Sequence, residues 1–266
     1  MQVRPPAVAG MFYPGSQAKL LHMVDQMLAR VAAPGPAPKA MVLPHAGYRY
    51  SGSTAAQGYA TLPAAAGTIT RVVLLGPCHR VGVPAIALPD AEAFATPLGQ
   101  VPVWTEGAQR LSGFDQVVNS PEAHAEEHSL EVHLPFLQHT LPDAQVLPLA
   151  VGWVTPTEVA EVLDAVWGGP ETLVVVSSDL SHYLPYAQAQ TADQATLRQI
   201  ENLGPALDHD QACGATPVNG LMVAAGQRHL VPTVVSQCNS GDTSFDRSRV
   251  VGYAFVRFDQ PGDFDA

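Results

Sequence analysis

The sequence predicts a three-layer α/β/α fold around a central mixed, largely parallel sheet, and three observations carry that prediction. Short, unbroken apolar runs rich in β-branched residues recur at positions 40–43, 71–75, 145–150, 173–176 and 231–235. Runs of that length without alternation suit strands covered on both faces. Segments with the 3.6-residue spacing of amphipathic helices lie among them. With 47% hydrophobic and 14% charged residues over 266 positions, the chain also has enough apolar material for one sizeable core. We therefore expect a single domain over residues 1–266, with residues 259–266 as a flexible tail.

Taken in order, the first helix is read from Leu20, Leu21, Val24, Met27, Leu28 and Val31, which fall on one face. The segment APGPAPK at 33–39 is a short loop leading into the 40–43 strand. A helix is expected from about Ser53 onward. Residues 85–88 and 100–104, joined through a loop containing Pro and Gly, suggest a small hairpin beside the main sheet. Residues 126–133 (EEHSLEVH) read as the start of an amphipathic helix with solvated charges. Thr155-Pro156-Thr157-Glu158 announces a helix with a capping box, its apolar face being Val159, Val162, Leu163 and Val166. The alternating stretch VVGYAFVRF at 250–258 reads as a half-exposed strand.

Composition excludes several functions. The formal net charge is −11 with 13 Lys and Arg residues and no basic run, which argues against a nucleic-acid or anionic-membrane partner. The first residues, MQVRPPAVAGMFYPG, are broken by Pro and Gly and do not form a signal-peptide core. No apolar stretch approaches the roughly 20 residues that span a bilayer. A cytoplasmic location is expected. Cys78, Cys213 and Cys238 are odd in number and share no CxxC spacing, so reduced thiols are expected.

Four strand candidates end alike, in MVLPHAGY, VVLLGPCH, VVVSSDLSH and PTVVSQC, each placing a metal-binding or proton-moving side chain just after an apolar run. Ligands of open α/β sheets sit outside the carboxyl ends of the strands. His45, His79, His182 and Cys238 are thereby expected to meet on one sheet rim. Asp179, three residues before His182, is placed to orient its imidazole within one helical turn. Tyr48, Tyr50 and Tyr183 are candidate pocket walls. In the 126–133 cluster His128 and Glu131 have HxxE spacing, but the residue order fails the zinc-peptidase signatures, and solvated charges are favoured over ligation.

The stretches AGMFYPG, PHAGYRYSG, GPCHR, EEHSLEVHLPFLQ, SSDLSHY and VVGYA stand in the order and wording of the Memo family, and the sequence resembles that family over nearly its whole length. The resemblance implies a fold similar to class III extradiol dioxygenases, non-haem iron enzymes that open catechol rings. It places the family's metal-site residues on His45, His79 and Cys238, with His182 beside them, and implies iron or copper there. Cys78 stands where many relatives have serine. A thiolate ligand in place of the dioxygenases' carboxylate favours softer metals and weighs against simple inheritance of ring-opening activity. Two functions follow: a metal-dependent redox enzyme on a small substrate, with His182 and Asp179 handling protons, or a binding protein for a peptide or metal with a vestigial site. Eukaryotic relatives are described as adaptors recognising phosphotyrosine peptides. Prokaryotic relatives are associated with a radical-SAM protein and its partner domain, which makes these the expected partners.

Overall fold

The computed structural model describes residues 2–32 and 34–262. The elements are, in order, β1 (Val3–Arg4), α1 (Gln17–Leu28), β2 (Ala40–Leu43), α2 (Tyr48–Tyr59), β3 (Arg71–Pro77), β4 (Ile86–Leu88), β5 (Ala93–Thr96) and β6 (Gly99–Pro102). Then follow α3 (Thr105–Leu111), β7 (Val117–Asn119), α4 (Pro121–Ala125), α5 (Leu134–Thr140), β8 (Gln145–Val151), α6 (Pro156–Val166) and β9 (Thr172–Ser177). The chain continues through β10 (His182–Leu184), α7 (Tyr186–Glu201), α8 (Ala215–Gln227), β11 (Val231–Asn239), α9 (Gly241–Ser244) and β12 (Val250–Asp259).

Among the described residues, the main sheet has nine strands in the order β10-β12-β2-β9-β3-β8-β4-β7, with β11 on β12. Its centre, β2-β9-β3-β8, is parallel, while β12 and β4 join it antiparallel. The parallel strands read as continuous apolar runs because successive residues enter different cores. In β3, Val73 and Leu75 pack with Val159, Val162 and Leu163 of α6, whereas Val72 and Leu74 pack with the α2 side of the sheet. Val174 and Val176 of β9 divide from Leu173 and Val175 in the same way. Each such fully buried side chain stabilises the fold by about 1.5–3 kcal/mol. The three-layer expectation therefore holds. So does the capping box: Thr155 Oγ1 accepts from Glu158 N and the Glu158 carboxylate accepts from Thr155 N.

Several local expectations are corrected. The first helix ends at Leu28, before Val31, and Leu21 faces solvent. The 250–258 strand is almost entirely buried rather than half-exposed, because its one charge, Arg257, is neutralised by two 2.6 Å hydrogen bonds to Asp259. Asp259 is thus the buried end of β12 and not the start of a tail; of that predicted tail, residues 263–266 lie outside the described residues. The 231–235 run, expected to be covered on both faces, belongs to the edge strand β11, which pairs only with β12 and leaves Val231 and Val235 exposed. The expected hairpin does not form: β4 joins the main sheet, and β6 pairs instead with β5 in a separate sheet with β1. The loop between them holds its own tight turn, with Gly99 at φ +128°, a conformation that favours glycine.

The largest correction concerns residues 126–133. These are not solvated charges on a helix start: Glu127, Glu131 and His133 are buried, and residues 131–133 form a short 3-10 turn leading into α5. The Glu131 carboxylate forms an ion pair with Arg4 and accepts from Ala7 N (2.7 Å), Val8 N (3.0 Å) and Tyr13 OH (2.5 Å). Arg4 in turn donates to the carbonyls of His124 (2.9 Å) and Glu127 (2.8 Å). A buried carboxylate is tolerated when its lone pairs are met in this way, and removing one partner strands the other. We expect Arg4→Met to lower the unfolding free energy by about 3–5 kcal/mol in urea titrations. A loss below about 1 kcal/mol would show that the pair is not a structural anchor.

Candidate metal centre

His45 and His79 follow β2 and β3, the two parallel strands that flank β9, so the strand-end logic places both on one rim. They are joined there by His128, and one ring nitrogen from each of the three lies within 4.8 Å of the others. The rings pack directly: His79 stacks on His128 at 4.7 Å, and His45 meets each of them edge-on at 5.1 and 5.4 Å. His45 is buried, His128 half-buried, and His79 stands at the opening.

Hydrogen bonding fixes which nitrogens carry lone pairs. Ser177 Oγ gives its proton to the Ser129 carbonyl at 2.6 Å, so at His45 Nδ1, also 2.6 Å away, it can only accept. The His45 proton is thus on Nδ1 and the Nε2 lone pair is free to ligate. Glu127 does the same for His79: its carboxylate lies 3.0 Å from Nδ1 and accepts from His79 N at 2.5 Å. It also accepts from His128 N and Ser129 N, both at 2.9 Å. A carboxylate behind a ligating imidazole fixes its tautomer and raises its basicity. Burial alone would raise the Glu127 carboxyl, but the hydrogen bond to the His79 ring and the backbone N–H donors outweigh it and hold the group at about 2.

Burial pushes the His45 imidazole well below its usual value, helped by the neighbouring His79 and His128, and lowers His128 to about 4. Both are therefore neutral at physiological pH, the form that binds a metal. Imidazole donors suit zinc, copper, iron and nickel, so the residues fit a transition-metal ion. At His45 Nε2 the nearest partner is the Cys213 thiol, 3.3 Å away. Burial and the nearby Asp179 push that thiol up to about 12, so it remains S–H and donates to the lone pair.

The centre opens into a cavity of 740 Å³ whose walls include Arg80, Asp179, His182, Tyr183 and Cys213. Residues 4–257 match the family of Memo-like proteins. The chain belongs to the Memo family. Memo family relatives described as MEMO1 family proteins align along its whole length. That of Ignicoccus hospitalis is 36% identical over 98% of this chain and 100% of its own. The Aquifex aeolicus relative is 35% identical (97% and 100%), and that of Metallosphaera sedula 34% (96% and 99%).

Within this Memo chain the sequence-derived residues are distributed unevenly. His45, His79, Asp179 and His182 all line the cavity, but Asp179 does not orient His182. No helical turn joins them, because His182 begins β10; the Asp179 carboxylate instead accepts from His45 N at 2.8 Å and from the Ala46 amide. One ring nitrogen of His182 bonds the Leu180 backbone, and burial lowers its pKa. Cys238 is not in the cluster of three: it sits within β11, not in a loop, with Sγ 3.0 Å from Thr54 Oγ1. Tyr48 is a core residue at the start of α2, five positions before the expected helix start, and its hydroxyl donates to the Val132 carbonyl. Of the three tyrosines, Tyr183 is the one on the cavity wall. At His128 the sequence favours solvated charge over ligation, and the structure places its ring with His45 and His79. The available signal is three glutamates and two histidines packed into eight residues of a chain poor in charge.

Burial drives the Asp179 carboxyl up from 3.8 to about 7 against the pull of its two amide donors. The folded state then holds this proton more tightly than the unfolded chain, so stability should fall as pH rises from about 4 to about 7 and level off above. At about 1.4 kcal/mol per unit, the loss is a few kcal/mol. Urea unfolding of metal-free wild type and Asp179→Asn between pH 4 and 8 should show this loss in the wild type alone. Parallel pH profiles would overturn the assignment.

Proposed function

We propose that this Memo-family protein is a metal-dependent enzyme of the oxidoreductase type acting on a small substrate, its metal held by His45, His79 and His128. The observation that carries the reading is the convergence of three imidazoles, two with Nδ1 tied back and Nε2 free, at the edge of a 740 Å³ cavity. Three neutral protein ligands leave coordination positions for substrate, whereas structural sites close them. When bound, iron or copper at this centre would supply Lewis acidity and electron transfer to an oxygen-bearing substrate.

The protein's own groups divide the remaining work. Glu127 holds His79 in its ligating tautomer, and Ser177 does so for His45. Asp179, half-protonated near neutral pH, is suited to give or take a proton in the cavity. His182, with one nitrogen on the Leu180 backbone and neutral at pH 7, is a second acceptor. The Cys213 thiol must leave the His45 lone pair before that nitrogen ligates. Cys238, with its sulfur on Thr54, is in this reading outside the ligand set. A set of three imidazoles removes the objection that a thiolate ligand raised against dioxygenase-like chemistry.

Elemental analysis of protein purified without chelator should find stoichiometric iron or copper in wild type and Cys238→Ser, and little in His45→Ala or His128→Ala. Metal lost from Cys238→Ser and kept in His128→Ala would reverse the ligand assignment. Glu127→Gln should weaken metal binding about 10–100-fold in chelator competition. Oxygen uptake by the loaded protein over a catechol panel tests the reaction; metal without uptake would favour the peptide- or metal-binding alternative.

A further inference from the structure

Around the imidazole cluster, the cavity carries two features the metal reading does not use. Tyr183 is 61% exposed yet has φ +63°, a left-handed conformation that a bulky side chain rarely adopts. Its surroundings impose that geometry. Ser181 N donates to Asp193 at 3.0 Å, and Leu180 and Ser181 exchange backbone hydrogen bonds with Gly252. A Cβ on Gly252 would lie 2.0 Å from Asp193 Oδ2, so the packing depends on glycine there. The pairing of β10 with β12 is irregular between His182 and Leu184, which lets Tyr183 point away from the sheet. Strain held in place by several surrounding contacts, at a cavity wall, points to a role for the side chain. Behind the ring lies the Arg249 guanidinium, 4.9 Å from its centroid.

The second feature is Arg80, next to His79 on the same wall. In a chain of net charge −11, this guanidinium has no acidic partner among the described residues. It lines the cavity together with Asp179 and Asp210, neither of which forms an ion pair with it, so its planar array of donors is left for an oxyanion.

We infer that the cavity's ligand is a small planar acid, its ring lying against Tyr183 and its carboxylate bound by Arg80. This deepens the proposed function by naming the substrate class and rests on the same cavity, but it does not depend on which metal is held. Arg80 and Tyr183 are the specificity-determining pair: Arg80 reads the charge and Tyr183 the flat face. Arg249 backs the ring and adds positive potential at the opening.

Zinc-loaded protein, redox-silent, is titrated calorimetrically with benzoate, with its uncharged isostere benzamide and with cyclohexanecarboxylate. Benzoate should bind about 10–100-fold more tightly than benzamide, the range of a charge-assisted hydrogen bond. Arg80→Gln should abolish that preference and leave benzamide affinity unchanged. Tyr183→Gly should remove the preference of benzoate over cyclohexanecarboxylate while the Tm stays level or rises, since glycine accepts the left-handed backbone without strain. A structural tyrosine would instead lower the Tm and leave ligand selectivity intact. Wild type that fails to bind benzoate, or an Arg80→Gln variant that keeps the charge preference, would overturn the inference. His128→Ala separates the two claims. If metal is retained there, the ligand assignment fails while Arg80-dependent selectivity stands; if metal is lost and selectivity persists, both stand.

Discussion

Two buried carboxylates, Glu127 and Glu131, are the constraint on which both the fold's margin and the site depend. Neither could be buried as an ion without a full set of donors, because an uncompensated charge in the interior costs several kcal/mol. Glu131 finds its donors in the N-terminal segment, and Glu127 finds them in His79 and in the backbone around His128. Arg4 binds the carbonyl of one residue and the carboxylate of the other. Phe12 of the same N-terminal segment packs on His128 at 4.7 Å. Local charge satisfaction therefore links the first residues of the chain to the imidazoles at the carboxyl end of the sheet.

The same economy of charge governs the cavity. His45 and His128 are kept neutral by burial, Asp179 is kept largely protonated below pH 7 by the same cause, and Glu127 alone is stabilised as an anion. The imidazole cluster so arranged presents lone pairs, and the charge met by whatever enters comes from the wall beside it, at Arg80. The tautomers of His45 and His79 are set before any ligand arrives, and the group that must move on binding is the Cys213 thiol.

Much of this was legible in the sequence. The parallel strands could be read because burial on both faces leaves no polar position in the run, and His45 and His79 followed from where those runs stop. The α6 capping box could be read because it is local. What escaped reading depended on partners distant in sequence. Arg257 looked like an outward position until Asp259 neutralised it, and the 231–235 run looked central although its place at the edge is set by pairing with β12 alone. His128 reads as solvated because the side chains that meet Glu127 and Glu131 come from residues 4–13 and 79, distant in sequence. Asp179 and His182 have a helical spacing, but the chain between them is irregular and His182 opens β10, and spacing alone cannot reveal that.

The anchoring of the N-terminal segment also sets an order of events during synthesis. Arg4, Ala7, Val8 and Tyr13 are translated before the carboxylate they share, which lies well over a hundred residues further along the chain. They must wait, unpaired and hydrated, until the 127–131 segment has followed. Cys213 is translated later still. Residues 4–13 therefore dock only after the segment that follows them by more than a hundred positions, and the assembly of the imidazole cluster is timed by the middle of the chain.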